Sequence, residues 1–314
     1  MAQRLILPPP AALCYNSTMS RPEINAMTPQ EIIQDIDQLF SLPDVVLRVN
    51  ELLESDQSTI SDIGAVISND PALSARLLKL VNSAFYGFPA QVDTISRAIG
   101  LIGTNEVRSI VLASSATSVF RDVSSDLIDM NSFWHRSVYC GLVAKKIAAA
   151  TRRTRGESQF LTGLFHDLGK LILIIKAPQD YEQLMRVSSE QGTLMSDLEE
   201  EWLGFSSAEL GAQLLAHWHL PESLWLPVKH QYHPEACDLF VNETHTLNLA
   251  MQVTNCVEPE LKSGSPQDKI ELLDSVAMDD FDLSRENLST IAGDANIESL
   301  EVLSIINPTN ATVY

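Results

Sequence analysis

An all-α fold of many helices, arranged as an N-terminal and a C-terminal lobe, follows from three observations. Aromatic residues are scarce, 6% of the 314-residue chain, while Leu, Ile, Val and Ala abound. Runs of alternating β-branched residues bounded by turns, the mark of strands, are hard to find. Helix-start signals followed by apolar residues at helical spacing recur from Thr28 onward. With 45% hydrophobic and 20% charged residues, the composition is that of a globular protein able to bury a core.

Residues 1–26, with Pro8-Pro9-Pro10, hold no sustained period and read as a flexible leader. Thr28-Pro29-Gln30-Glu31 has capping-box spacing with proline at the first helical position and opens a leading helix over 27–37; Ile32, Ile33, Ile36, Leu39 and Phe40 supply its apolar face. Pro43 opens a second helix with the stripe Val46, Val49, Leu52 and Leu53, and Thr59 with Asp62 marks a third through Ile63, Val66 and Ile67. Asp70-Pro71 stops that helix and starts the next, whose Leu73, Leu77, Leu78, Leu80 and Val81 cover so wide an arc that it is expected to be central. At its end Asn82 and Ser83 either hold a neighbouring loop by hydrogen bonds or disrupt the last turn. Phe85 to Pro89 reads as a packed loop; the period resumes at Ile95, Ala98, Ile99 and Ile102, breaks at Gly103, and continues through Val107, Ile110 and Val111.

The polar, acidic segment from Phe120 to Met130 is the expected connection between the lobes. A long alanine-rich helix from Trp134 to Ala150 and a charged loop from Thr151 to Glu157 precede Gly163-Leu164-Phe165-His166-Asp167-Leu168-Gly169-Lys170-Leu171-Ile172-Leu173-Ile174-Ile175, which reads as one helix. Ala177-Pro178 stops it. Helices follow around Tyr181 to Glu190 and from Ser196 to Leu203, and Ser206 to Glu209 is a second capping box before Leu210, Gly211, Leu214, Leu215 and Trp218, a helix whose glycine permits close packing. Pro221 opens another helix, and Leu247 to Val257 is helical again. Glu258 to Asp294 is acidic with weak periodicity, and Leu300, Val302, Leu303 and Ile306 make one last short helix.

A net charge of −20 opposes phosphate backbones and anionic membrane surfaces, so neither nucleic acid nor a membrane is expected as a partner. The basic cluster Lys145, Lys146, Arg152, Arg153 and Arg155 reads as a solvated helix end. Cys14, Cys140, Cys237 and Cys256 show no CxxC spacing, which predicts neither a zinc site nor a disulfide framework and places the chain in the cytoplasm. Cys140 reads as a small buried hydrophobe. The longest apolar run falls short of the ~20 residues of a membrane span.

The residues that stand out are His166, Asp167 and Lys170, the one place where buried-looking sequence carries charge. Left unpaired they would be costly, so they either bind something, a metal or a partner side chain, or satisfy one another. His166, His217, His219, His230 and His233 cluster in sequence, but none has the spacing of a zinc-protease helix, and apart from Asp167 no carboxylate is placed near them by spacing. No GxSxG, Walker or GxGxxG motif is present.

In order, these pieces resemble the HDOD family, HD-related output domains of bacterial signalling proteins, over residues 38–236. The resemblance rests on Leu42-Pro43, Asp70-Pro71-Ala72-Leu73 leading into Leu77 to Ala84, Ile95 to Leu101, Trp134 with Ser137, Gly163 to Lys170, Glu209 with Gly211, and Trp218-His219-Leu220-Pro221-Glu222. It implies an N-terminal helical lobe joined to a lobe similar to the HD phosphohydrolases, and leaves 237–314 as an acidic helical extension. It also implies a metal-ligand set, of which only His166 and Asp167 remain here. Arg136 matches the first histidine, with His135 one position away; Ser207 matches the next, Gln231-Tyr232 the paired histidines, and Met251 the closing aspartate. Arginine has no lone pair to donate and methionine is a poor ligand for a hard cation. The resemblance therefore implies a degenerate cluster of Arg136, His166, Asp167, Lys170, Ser207 and Tyr232 with no metal, no cofactor and no catalysis. Arg136 is expected to form an ion pair with Asp167, and the partners are expected to be other signalling proteins.

Overall fold

Local helix signals set the architecture. Thr28 and Glu31 close a capping box, the Thr28 amide donating to Glu31 at 2.7 Å and the Glu31 amide to Thr28 Oγ1 at 3.3 Å, and α1 (Pro29–Ile36) follows. Thr59 and Asp62 do the same for α3 (Ile60–Ser68), after α2 (Asp44–Glu54). Asp70 caps α4 (Pro71–Val81), and α5 (Ile95–Ile102) and α6 (Thr104–Val119) meet at Gly103, whose positive φ of 83° suits glycine. Asn82 holds the intervening loop: its side chain donates to Val92 O at 2.7 Å and accepts from Val92 N at 2.7 Å. Of the two readings of Asn82, loop anchoring is therefore the observed one.

The second lobe contains α7 (Met130–Thr151), α8 (Gly156–Phe165), α9 (Leu168–Lys176), α10 (Pro178–Gln191), α11 (Met195–Leu203), α12 (Ser207–His217), α13 (Glu222–Lys229) and α14 (Val241–Val257). The last described helix is α15 (Arg285–Ile306). This computed structural model describes residues 27–36, 40–55, 57–123, 125–257 and 281–308, and among them no strand occurs. The leader, Leu39 and residues 258–280 lie outside the described residues.

Two expectations are corrected. The run from Gly163 to Ile175 is two helices, broken at His166 and Asp167. The His166 ring takes the Gly163 carbonyl at 2.6 Å, the acceptor that a continuing helix would offer to the Asp167 amide. The final helix is 22 residues long, starting at a capping box of Ser284 and Asn287, where only a short one from about Leu300 was expected. Its buried stripe uses small residues, Ala292, Ala295 and Ser299, between Leu288, Ile291, Val302 and Ile305, while Ile297 and Leu300 face outward. That mixture blurs the apolar period.

Buried side chains from both lobes form one continuous core. α1 packs on α12, and the Trp218 indole donates to Phe40 O at 2.8 Å beneath the stacked Phe40 and Phe120 rings. α15 lies along α7 and reaches α4 and α6. The basic cluster is largely tied down: Lys145 pairs with Glu106 at 2.7 Å, Lys146 with Glu298 at 2.8 Å, and Arg153 lies over the Phe281 ring. Gly156–Lys176 is apolar enough, taken as one run, to match a membrane span by composition, but 78% of its 18-residue apolar window is buried inside the fold. No disulfide joins the described cysteines, and Cys140 is fully buried as expected.

Candidate functional site

The corner between α8 and α9 is held by two glycine crossings. A Cβ on Gly163 would meet Gly141 Cα of α7 at 2.6 Å, and one on Gly169 would meet the Ser207 carbonyl of α12 at 1.9 Å. Backbone thus lies against backbone on both sides of His166 and Asp167. Gly211, read from the sequence as a packing glycine, is the α12 side of the second crossing.

His166 is 2% exposed and its Nε2 faces Asp167 Oδ2 at 3.4 Å. Gln231 donates to the His166 carbonyl at 3.1 Å, and Asn248 of α14 donates to the Gln231 carbonyl at 2.7 Å. Burial alone would lower the His166 pKa, but the Asp167 carboxylate, with a smaller contribution from Cys140, overrides it and the opposing charge of Arg136, raising it to about 9. Asp167 shows the mirror image: burial pushes its carboxyl up, and His166, Lys170 and Arg136 together hold it below the usual carboxylate range. The pair is therefore ionised at neutral pH, with Nδ1–H donating to Gly163 and Nε2–H aimed at Asp167.

Arg136 does not pair directly with Asp167. Its guanidinium hydrogen-bonds the side-chain oxygen of Asn255 on α14, and its charge reaches Asp167 from a longer range. The expected ion pair is thus corrected: the guanidinium is held by the Asn255 side chain of α14 instead. Lys170 likewise acts on Asp167 by charge without an ion pair. Tyr232 is half-buried and its pKa is raised, first by burial, then by Asp167 and Glu199, with hydrogen bonds from Ser207 and Gln231 opposing. All six predicted residues therefore belong to one electrostatic neighbourhood. His135 turns away to Ser299 of α15 at 3.0 Å, and His233 faces Glu235 at the surface at 3.6 Å.

Sequence reading missed Glu199. This carboxylate is 1% exposed, accepts the Tyr181 hydroxyl at 2.9 Å and accepts the Ser207 amide at 2.6 Å, so it serves the first turn of α12. Burial raises its pKa, hydrogen bonds from Ser207 and Tyr181 lower it, and Asp167 adds to the rise. The signal was present: Met195, Leu198, Trp202 and Leu203 form an apolar stripe, and position 199 falls on it.

A metal does not fit this neighbourhood. A dication needs several lone-pair donors, whereas Asp167 faces the cationic influence of His166, Lys170 and Arg136, with a serine and tyrosines nearby. Among the described residues no group of three His, Cys, Asp or Glu side chains is placed to hold one.

An all-helical protein with a His-Asp corner at a helix break defines the class as HD-like. More narrowly, the chain belongs to the HDOD domain family, whose profile it matches over residues 39–234. Its fold is similar to that of a candidate phosphohydrolase from Shewanella amazonensis, with a TM-score of 0.71 and 23% identity over 88% of this chain and 97% of that one. It is also similar to an HDOD domain protein from Geobacter sulfurreducens, with a TM-score of 0.67 and 20% identity, covering 89% and 96%. An uncharacterised Treponema pallidum protein is 29% identical over 199 residues, 61% of this chain and 37% of its own length. The Bacillus subtilis protein YuxH is 28% identical over 127 residues, 40% of this chain and 29% of its own. The chain thus spans well under half the length of these two relatives.

Proposed function

We propose that the chain is a noncatalytic bacterial signal-transduction output protein of the cytoplasm, acting through contacts with other signalling proteins. The observation that carries this reading is the company of Asp167: His166 Nε2 faces its carboxylate at 3.4 Å and the cationic Lys170 and Arg136 act on it by charge, so the neighbourhood offers cations where a metal would need lone-pair donors. Family membership and a similarity to a candidate signal-transduction protein from Marinobacter aquaeolei, with a TM-score of 0.67, support the signalling context. The net charge of −20 speaks against nucleic-acid and membrane partners.

One observation favours a second reading, a metal-dependent phosphohydrolase acting on a nucleotide or cyclic dinucleotide. His166 Nδ1 is anchored on a backbone carbonyl, the arrangement that orients many metal-binding imidazoles. Elemental analysis of protein purified without chelator separates the two. The expected result is substoichiometric manganese and iron, with no phosphohydrolase activity on added metal. Stoichiometric metal that disappears in Asp167→Ala would establish the enzyme instead.

A further inference from the structure

Away from the His-Asp corner, a cleft of about 650 Å³ opens between the α6–α7 connection and the junction of α9 with α10. Its floor is apolar, formed by Val123, Leu127, Ile174 and Ile175. Its rim is acidic on both walls: Asp122 and Asp126 come from the connection, Glu182 from α10, and all three are exposed. Of the cations near these carboxylates in the chain, two are engaged elsewhere, and Arg186 lies exposed one turn beyond Glu182 on α10. Lys176 pairs with Asp35 of α1, and Arg121 leans on Ser118 of α6 at 3.4 Å.

We propose that this cleft docks a basic amphipathic helix of a partner protein, with its apolar stripe on the floor and lysine or arginine heads against the two acidic walls. An apolar groove flanked by one sign of charge is the complement of a helix whose apolar stripe is flanked by the other. Anionic lipid headgroups and nucleic-acid phosphates would be repelled by the same three carboxylates. The inference rests on the signalling role proposed above and gives the partner a chemistry.

The test is fluorescence anisotropy on the full chain with a labelled peptide of leucine and lysine at helical spacing, against a matched peptide with glutamate in place of lysine. Two triple variants carry equal charge: Asp122→Lys with Asp126→Lys and Glu182→Lys in the cleft, and Glu190→Lys with Glu200→Lys and Glu286→Lys elsewhere on the surface. The basic peptide should bind and the acidic one should not, with affinity falling about tenfold or more in the cleft triple and little in the other. Leu127→Asp should weaken binding as well, with an unchanged helical spectrum. Equal losses in the two triples would reduce the binding to the bulk charge of the chain and overturn the proposal, as would no binding at all. Self-association without peptide that the cleft triple abolishes would assign the cleft to a second copy, and would also overturn it. Failure here leaves the metal analysis untouched, and stoichiometric metal would strike the noncatalytic role without moving these affinities.

Discussion

Asp167 and His166 show how much a single position can disclose. Their charge inside an apolar run was legible from sequence because burying such groups demands partners. Which partners was not legible, since Cys140 of α7 and Gln231 in the turn after α13 approach from elsewhere in the chain. The raised pKa has a testable consequence. A histidine with an ordinary value of 6.5 and a folded value of about 9 adds stability in full below 6.5, and this is lost as pH rises through 9. The facing groups are Asp167, Cys140 and Arg136, and Asp167 stays ionised across that window. Urea denaturation from pH 6 to 10 should show His166→Gln closing its stability gap with the parent protein by roughly 3 kcal/mol. Parallel curves would refute the ion pair. Glu199 gives a second expectation. Glu199→Ala strands the Ser207 amide and the Tyr181 hydroxyl and should cost about 2–3 kcal/mol, whereas Glu199→Gln keeps one acceptor and should cost less. Equal midpoints for the two variants would contradict that role.

At the scale of elements, helix starts were the most readable feature, because caps are local: Thr28, Thr59, Asp70 and Ser206 all act at the helix starts predicted for them, although only the serine half of the Ser206–Glu209 box is seen. Helix contacts were less readable. Gly211 was recognised as a packing residue, yet Gly169 carries the tighter approach, and one sequence does not say which helices cross. Gly169→Ala drives a methyl into the Ser207 carbonyl at 1.9 Å, and backbone cannot yield as a side-chain tip can. The variant should lose about 3 kcal/mol or more. Gly211→Ala meets Gly169 N only at 3.1 Å and should lose about 1 kcal/mol or less. Denaturant midpoints would decide, and a reversed order would refute the account of the crossing.

Across the whole molecule, the C-terminal helix joins what the sequence divided into a domain and an extension. α15 bonds both lobes: Thr117 of α6 donates to Ile306 O at 2.8 Å, Ala84 after α4 donates to Glu301 at 3.1 Å, and Tyr139 of α7 donates to Ala292 O at 3.3 Å. The S. amazonensis fold overlaps 88% of this chain, more than residues 39–234. If α15 couples the lobes, they should unfold together. Trp134, Trp202, Trp218 and Trp225 all lie in the second lobe, so tryptophan fluorescence reports chiefly that lobe and, through Trp218 against Phe40, its seam with the first, while far-ultraviolet circular dichroism reports helices in both. In the full chain the two urea transitions should coincide. Removing residues 285–314 bares one face of α7 and cuts the ties to α4 and α6. The first lobe should then melt at lower urea, giving a dichroism transition that precedes the fluorescence one. Coincident transitions in the shortened chain would show that the α6–α8 contact and the shared core suffice for cooperativity, with α15 an accessory to it.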